Sequence, residues 1–131
     1  MRRRVESAQV ARLATVKPDG GPHIVPMCFV LVGQTVYSTS DYKPKTTPNL
    51  QRFKNIAANS NASLLVDHYD DDWEKVWWVR LDGEARMVTD RSELEEAIDR
   101  LRAKYVQYET LERDSSAMAL EIKRWSGWSY S

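Results

Sequence analysis

Lys43 and Lys45, with the hydroxyls of Ser38, Thr39, Ser40, Thr46 and Thr47 around them, are the residues of this chain best suited to hold an anion. They stand before a run that reads as a helix: Thr47 can cap it, Pro48 fits its first position, and Leu50, Phe53, Ile56 and Ala57 recur on one face. The first N–H groups of such a helix lack intrahelical partners and carry the positive end of its dipole. A phosphate placed there meets charge, backbone donors and side-chain donors together. The same composition also serves a solvated connection, so the stretch establishes an anion preference and leaves the ligand open.

Other chemistries find less support. His23 and His68 are the only histidines, and neither has a second His or Cys at zinc spacing. Asp67, His68, Asp70, Asp71 and Asp72 could surround a hard cation, but they lack the spacing of a calcium loop and its closing glutamate, so no metal site is expected. There is no GxSxG elbow, no Walker A loop and no GxGxxG turn. Cys28 lies in an apolar run, where a buried, inert thiol is the default. No catalytic side chain can be assigned, and an enzyme built on this chain would take its chemistry from a bound cofactor.

The elements that must position these residues follow from periodicity. Residues 1–9 read as a short helix with Val5, Ala8 and Val10 on its apolar side. Val10–Lys17 alternates as a strand, Pro18–Gly21 is a turn, and His23–Val32 is a nearly continuous apolar strand in which Pro26 marks an edge, a bulge or a functional interruption. A Gly33–Gln34 turn leads to a strand at Thr35–Thr39. After the predicted helix come a strand at Ala62–Tyr69, an acidic loop at Asp70–Asp72 and a long strand at Lys75–Val88. In that strand Trp77, Val79 and Leu81 face one way, Trp78, Arg80 and Asp82 face the other, and Gly83 bends or bulges it. Asp90 and Glu93 form a capping pair for an amphipathic helix carrying Leu94, Ala97, Ile98, Leu101, Tyr105 and Tyr108. The tail Met118–Tyr130, with a Ser126–Gly127 turn, supplies one or two closing strands. Connections too short for crossovers make this a mainly β protein, a six-stranded antiparallel barrel with two inserted helices.

At 131 residues, 42% of them hydrophobic and 29% charged, the chain is expected to be a single soluble domain, 1–131, that needs neither disulfides nor metal. One cysteine, no signal-like apolar region after Arg2–Arg4 and no membrane-length run fit a reducing cytoplasm. The net charge is zero, but residues 1–60 carry nine Lys/Arg against three Asp/Glu, and residues 61–131 carry ten against sixteen. That asymmetry favours a small anionic ligand over nucleic acid. Adjacent Trp77 and Trp78 must face opposite sides of their strand, so one is available for a dimer seam or an aromatic cofactor.

Three strings in order, LATVKPDGGPHIVPM at 13–27, VYSTSDYKPKTTPNLQRFKNIAANSNASLLVD at 36–67 and WWVRLDGEARMV at 77–88, resemble the split-barrel flavin-binding superfamily typified by pyridoxamine 5'-phosphate oxidase. Within it, the chain is most similar to the probable coenzyme F420-dependent enzymes. The resemblance implies a homodimeric six-stranded split β-barrel with cofactor sites at the subunit interface. It implies that Tyr37, Ser38 and Thr39 line the cofactor, that Lys45 and Thr46, with Lys43 beside them, hold its phosphate, and that Asn49 opens the helix beyond. Pro26, Met27 and Cys28 would run beside the ring, and Trp77, Trp78 and Arg80 would lie on the interface strand. The second strand lacks the basic residues of the FMN-dependent oxidases, and Trp78 stands where a glutamine is common. The activity implied is F420-dependent hydride transfer to an electron-poor small molecule. The alternatives are an FMN-binding oxidase or reductase, or a non-catalytic binder of F420, FMN or haem.

Overall fold

The computed structural model describes residues 1–39, 51–112 and 115–130. Strands β1 (Ala11–Val16), β2 (Pro22–Met27), β3 (Val30–Val32), β4 (Thr35–Thr39), β5 (Asn61–His68), β6 (Trp77–Met87) and β7 (Ala117–Ser129) form one antiparallel sheet in the order β2-β1-β5-β6-β7-β4-β3. Among the described residues three α-helices accompany it: α1 (Arg2–Ser7), α2 (Gln51–Ala58) and α3 (Arg91–Lys104). Among the described residues no helix is long and apolar enough to cross a membrane.

The topology forces the sheet to curl. Strands β2 and β3 are its two edges, yet only Cys28 and Phe29 separate Met27 from Val30. Three Cα steps span at most about 11 Å, so the edges must nearly meet and the sheet becomes a half-barrel. This also corrects the single strand expected over His23–Val32, and with it the strand count, which is seven among the described residues. The break occurs because the Phe29 backbone finds its partners on α3 rather than in a ladder. Its N–H donates to the Tyr105 hydroxyl at 3.0 Å, and its carbonyl accepts from Lys104 Nζ at 2.9 Å. The Tyr105 hydroxyl in turn donates to the Gln9 carbonyl at 2.8 Å.

Alternation sets inside and outside. Leu13, Leu64, Val66, Val79, Leu81, Met118 and Leu120 fill the concave side, which is plugged by Val5 of α1 and by Phe53 and Ile56 of α2. Helix α3 lies on the convex side over β3, β4 and β7. There Ile98, Leu101 and Tyr105 form a second cluster, and Ala97 packs on Tyr37 and Ala119. The first helix stops at Ser7 because Ala8 is already extended (ψ 143°), which leaves Val10 exposed. The third ends at Lys104, and Tyr108 sits in a following 3-10 turn. A short 3-10 turn at Trp73–Lys75 replaces the start of the long strand, which begins at Trp77. The expected start of α2 at Thr47 and Pro48 lies outside the described residues.

The tail is one strand without a turn at Ser126–Gly127. Its pairing with β6 shifts by one residue between Asp82 and Gly83, so Lys123 is extra on β7 and bends it. A Cβ on Gly83 would stand 1.9 Å from the Glu121 carbonyl oxygen. Gly127 likewise passes close under Met1 and the Trp78 carbonyl.

Gly83→Ala is therefore expected to cost about 3 kcal/mol or more, because backbone and not a flexible side chain must move; urea unfolding measures it. Tyr105→Phe removes the acceptor of a buried N–H, and a loss of about 1–3 kcal/mol in the same assay is expected.

Candidate functional site

The convex surface has two halves. Helix α3 covers β3, β4 and the first part of β7. Among the described residues no helix covers the outer side of β2, β1, β5 and β6, where Ile24 and Pro26, Arg12, Asp67 and Arg80 are exposed. Register lines up two rows across that open half: Pro26, Arg12, Leu65, Arg80 and Ser126, and beside it Ile24, Ala14, Ser63, Asp82 and Arg124.

Two open clefts lie on this face. One, of about 320 Å³, is walled by Leu65, Asp67, His68, Tyr69, Trp78 and Arg80. The other, of about 540 Å³, runs along Ala14, Asn61, Ser63, Asp82, Glu84 and Lys123. Both cations nearest the first cleft have carboxylate partners. Arg12 reaches Asp67 at 3.0 Å, and Arg80 reaches Asp82 at 3.3 Å while lying 5.6 Å over the Trp78 ring. Asp82 also accepts from the Ser63 hydroxyl. Two arginines thus face two aspartates, which suits a flat, uncharged ring better than a phosphate. The Ser126 hydroxyl in the first row and His23 Nδ1 on β2 are buried without hydrogen-bond partners among the described residues.

The site residues expected from the sequence do not converge on one surface. Pro26, Trp78 and Arg80 share the open face. Met27 and Ser38 are buried toward the interior, and Trp77 packs at the rim of the core with Arg4 5.0 Å over its ring and His68 stacked at 6.1 Å, where it also lines the first cleft. Cys28 packs against the cluster beneath α3. Thr39 donates to the Ser116 carbonyl at 2.8 Å. Lys43, Lys45, Thr46 and Asn49 lie outside the described residues.

Tyr37 is held under α3. Its hydroxyl donates to Glu93 at 2.6 Å, and Glu93 is bound by Arg86 at 2.7 and 3.0 Å. Arg86 also reaches Glu121 at 2.6 Å, and Glu121 accepts from Thr35 at 3.1 Å. Burial, then the bond to Glu93, raises the Tyr37 pKa, and the Arg86 guanidinium holds the Glu93 carboxyl below its usual range. Only half of the expected capping box therefore forms. Asp90 accepts the Glu93 N–H at 2.9 Å, while the Glu93 carboxylate turns to Arg86 instead of back to the helix start. Near the edge crossing, burial pushes the Lys104 pKa down to about 8.

Comparison with protein families matches residues 1–129 to pyridoxamine 5'-phosphate oxidase. The chain belongs to that family. No curated protein matches the sequence. Among solved structures, an FAD-binding protein of Mesorhizobium loti superposes with a TM-score of 0.73 at 21% identity, covering 96% of this chain and 89% of that one. HutZ, the heme storage protein of Vibrio cholerae, gives 0.73 at 16%, covering 98% and 90%. An F420 reductase gives 0.67 at 22%, covering 92% and 91%. At these identities the likeness to the three structures is one of fold, and the family's curled antiparallel barrel accounts for it.

Leu65 and Tyr69 wall the first cleft but were not among the sequence-derived candidates, and Asp67 and His68, which wall it too, were weighed only as ligands of a hard cation. The alternation of NASLLVDH puts Ser63, Leu65 and Asp67 on the side opposite the core, so the signal was present; which outer half stays open was not.

The Glu93 network makes a pH prediction. A carboxyl with a depressed folded pKa stabilises above its unfolded value and loses that contribution as pH falls through the folded one. Glu93→Gln should cost about 1–3 kcal/mol at pH 7. The gap to wild type should narrow as pH drops below the ordinary glutamate value of 4.5; a gap unchanged in urea melts between neutral and strongly acidic pH would refute this.

Proposed function

We propose that this chain is an F420-dependent oxidoreductase that passes hydride to an electron-poor small molecule, working as a homodimer whose cofactor lies between the open face and a second copy. The observation that carries the reading is the open convex face of a pyridoxamine 5'-phosphate oxidase-family barrel, with Pro26, Trp78 and Arg80 beside a charge-balanced, aromatic-walled cleft. Coenzyme F420 supplies the hydride chemistry when bound. The protein's own part is binding, orientation and exclusion of water.

The first cleft suits the ring of such a cofactor better than its anionic end, because Arg80 within it and Arg12 beside it already face aspartates. The anion is assigned to the basic segment, where Lys43, Lys45 and Thr46 take the phosphate and Asn49 follows, with Arg52 and Lys54 adding positive charge. Trp78 flanks the ring and Arg80, steadied by Asp82, hydrogen-bonds its polar edge. Because the clefts are open on one side, a second surface is needed to dry them; exposed Ile24 and Pro26 suit a copy of the chain.

His68 favours a second reading. Its half-exposed imidazole lines the cleft and could ligate the iron of a haem, which would make the protein a binder without turnover.

The test is parallel titration of the purified protein with F420, FMN and hemin, followed by turnover of reduced F420 against quinones and enones. Micromolar F420 binding, weakened about tenfold or more by Lys45→Ala and separately by Arg80→Ala, is the expected result. No F420 binding at ~100 μM ends the reading. A Soret shift lost in His68→Ala, without F420 binding, would establish the second one.

A further inference from the structure

Four large aromatic residues stand unusually bare at one end of the sheet: Tyr69 is 69% exposed, Trp73 60%, Trp128 47% and Tyr130 53%. Three segments bring them together. Tyr69 follows the end of β5, Trp73 opens the 3-10 turn capped by Asp72, and Trp128 and Tyr130 end the chain's last strand, where the Tyr130 N–H donates to the Val76 carbonyl at 3.2 Å. With Val76 they enclose a cavity of about 220 Å³. The Trp73 indole N–H points to the Tyr69 hydroxyl at 3.4 Å, and the Trp128 and Tyr130 rings meet at 87° with centroids 6.3 Å apart.

We propose that this aromatic corner binds an organic ammonium cation of the trimethylammonium class. Four rings from three segments, two of them perpendicular to each other, wall one small cavity from more than one direction. A compact, nearly spherical cation can touch them together, whereas a planar ligand can stack on only one. The charge nearby has the matching sign. Among the described residues no Lys or Arg lines the cavity, and the connection that carries Trp73 holds Asp70, Asp71, Asp72 and Glu74 against one cation, Lys75. Those carboxylates and the ring faces disfavour an anion, so this is not an extension of the phosphate site. The corner touches the Trp78 cleft through Tyr69 and Val76 but needs no cofactor there. The inference therefore stands or falls apart from the proposed function.

The experiment compares choline with 3,3-dimethylbutan-1-ol, its neutral carbon isostere, on the whole protein by tryptophan fluorescence and calorimetry. Choline should bind about fivefold or more tightly than the isostere. Trp73→Ala should weaken it by a similar factor, with partial recovery in Trp73→Phe; Trp73 is exposed, so circular dichroism should show the variants folded. Equal affinity for choline and the isostere, insensitivity to Trp73→Ala, or no choline binding at tens of millimolar would each overturn the proposal. So would a change in sedimentation rather than in choline affinity on Tyr130→Ser, which would make the corner a contact between copies.

Discussion

The edge crossing at Cys28–Phe29 is the constraint on which the rest of this structure depends. Two residues must carry the chain from one edge of a seven-stranded sheet to the other, which is possible only if the sheet has curled until its edges nearly touch. At that point the ladder cannot satisfy the Phe29 backbone, and a buried unpaired amide would cost about as much as a core cavity. The Tyr105 hydroxyl removes that cost. It accepts from Phe29 and donates to Gln9, tying the end of α3 to the crossing and to the segment after α1. Lys104 completes the arrangement by holding the Phe29 carbonyl while its Nζ lies 4.0 Å over the Phe29 ring. Curvature, the docking of α3 and the closing of the interior near α1 are thus one event.

Docking α3 on one half of the convex surface decides what the other half can do. Beneath the helix, outward side chains are consumed by packing and by the chain Tyr37, Glu93, Arg86, Glu121 and Thr35. Tyr37, a cofactor-lining candidate on sequence grounds, belongs to that chain. On the open half, outward side chains of similar types meet no helix among the described residues, and they form clefts instead. The same strand alternation therefore yields structural residues on β4 and site candidates on β5 and β6, and the difference lies entirely in which strands α3 covers.

Much of this was legible in the sequence because it is local. The alternation of β5 and β6, the Asp90 cap and the opposite facing of Trp77 and Trp78 all follow from a few neighbouring residues, and Gly83 marks the irregularity although the extra residue, Lys123, lies on β7. The break after Met27 was not legible, since HIVPMCFVLV is apolar without interruption and the partner that ends the ladder, Tyr105, lies 76 residues away from Phe29. The tail misled in the opposite direction. Ser126 and Gly127 have turn composition, yet Gly127 serves close approach to Met1 and β6 within a continuous strand. In the site, periodicity told inside from outside but could not tell a covered outside from an open one, which is why Tyr37 and Arg80 looked equivalent.

Charge follows the same division and gives the zero net charge a physical meaning. On the open face, Arg12 is matched by Asp67 and Arg80 by Asp82, so the first cleft presents orientation and hydrogen bonding with little field. The positive excess of the first sixty residues is shared between the stretch before Gly21 and the Lys43–Lys54 segment, and the Asp70–Glu74 connection at the aromatic end carries a negative excess. The balanced cleft and the aromatic corner are neighbours, joined at Tyr69 and Val76. An uncharged ring is therefore accommodated over the cleft, while the acidic connection disfavours an anion at the corner, so adjacent surfaces of one small domain differ in the charge they accept.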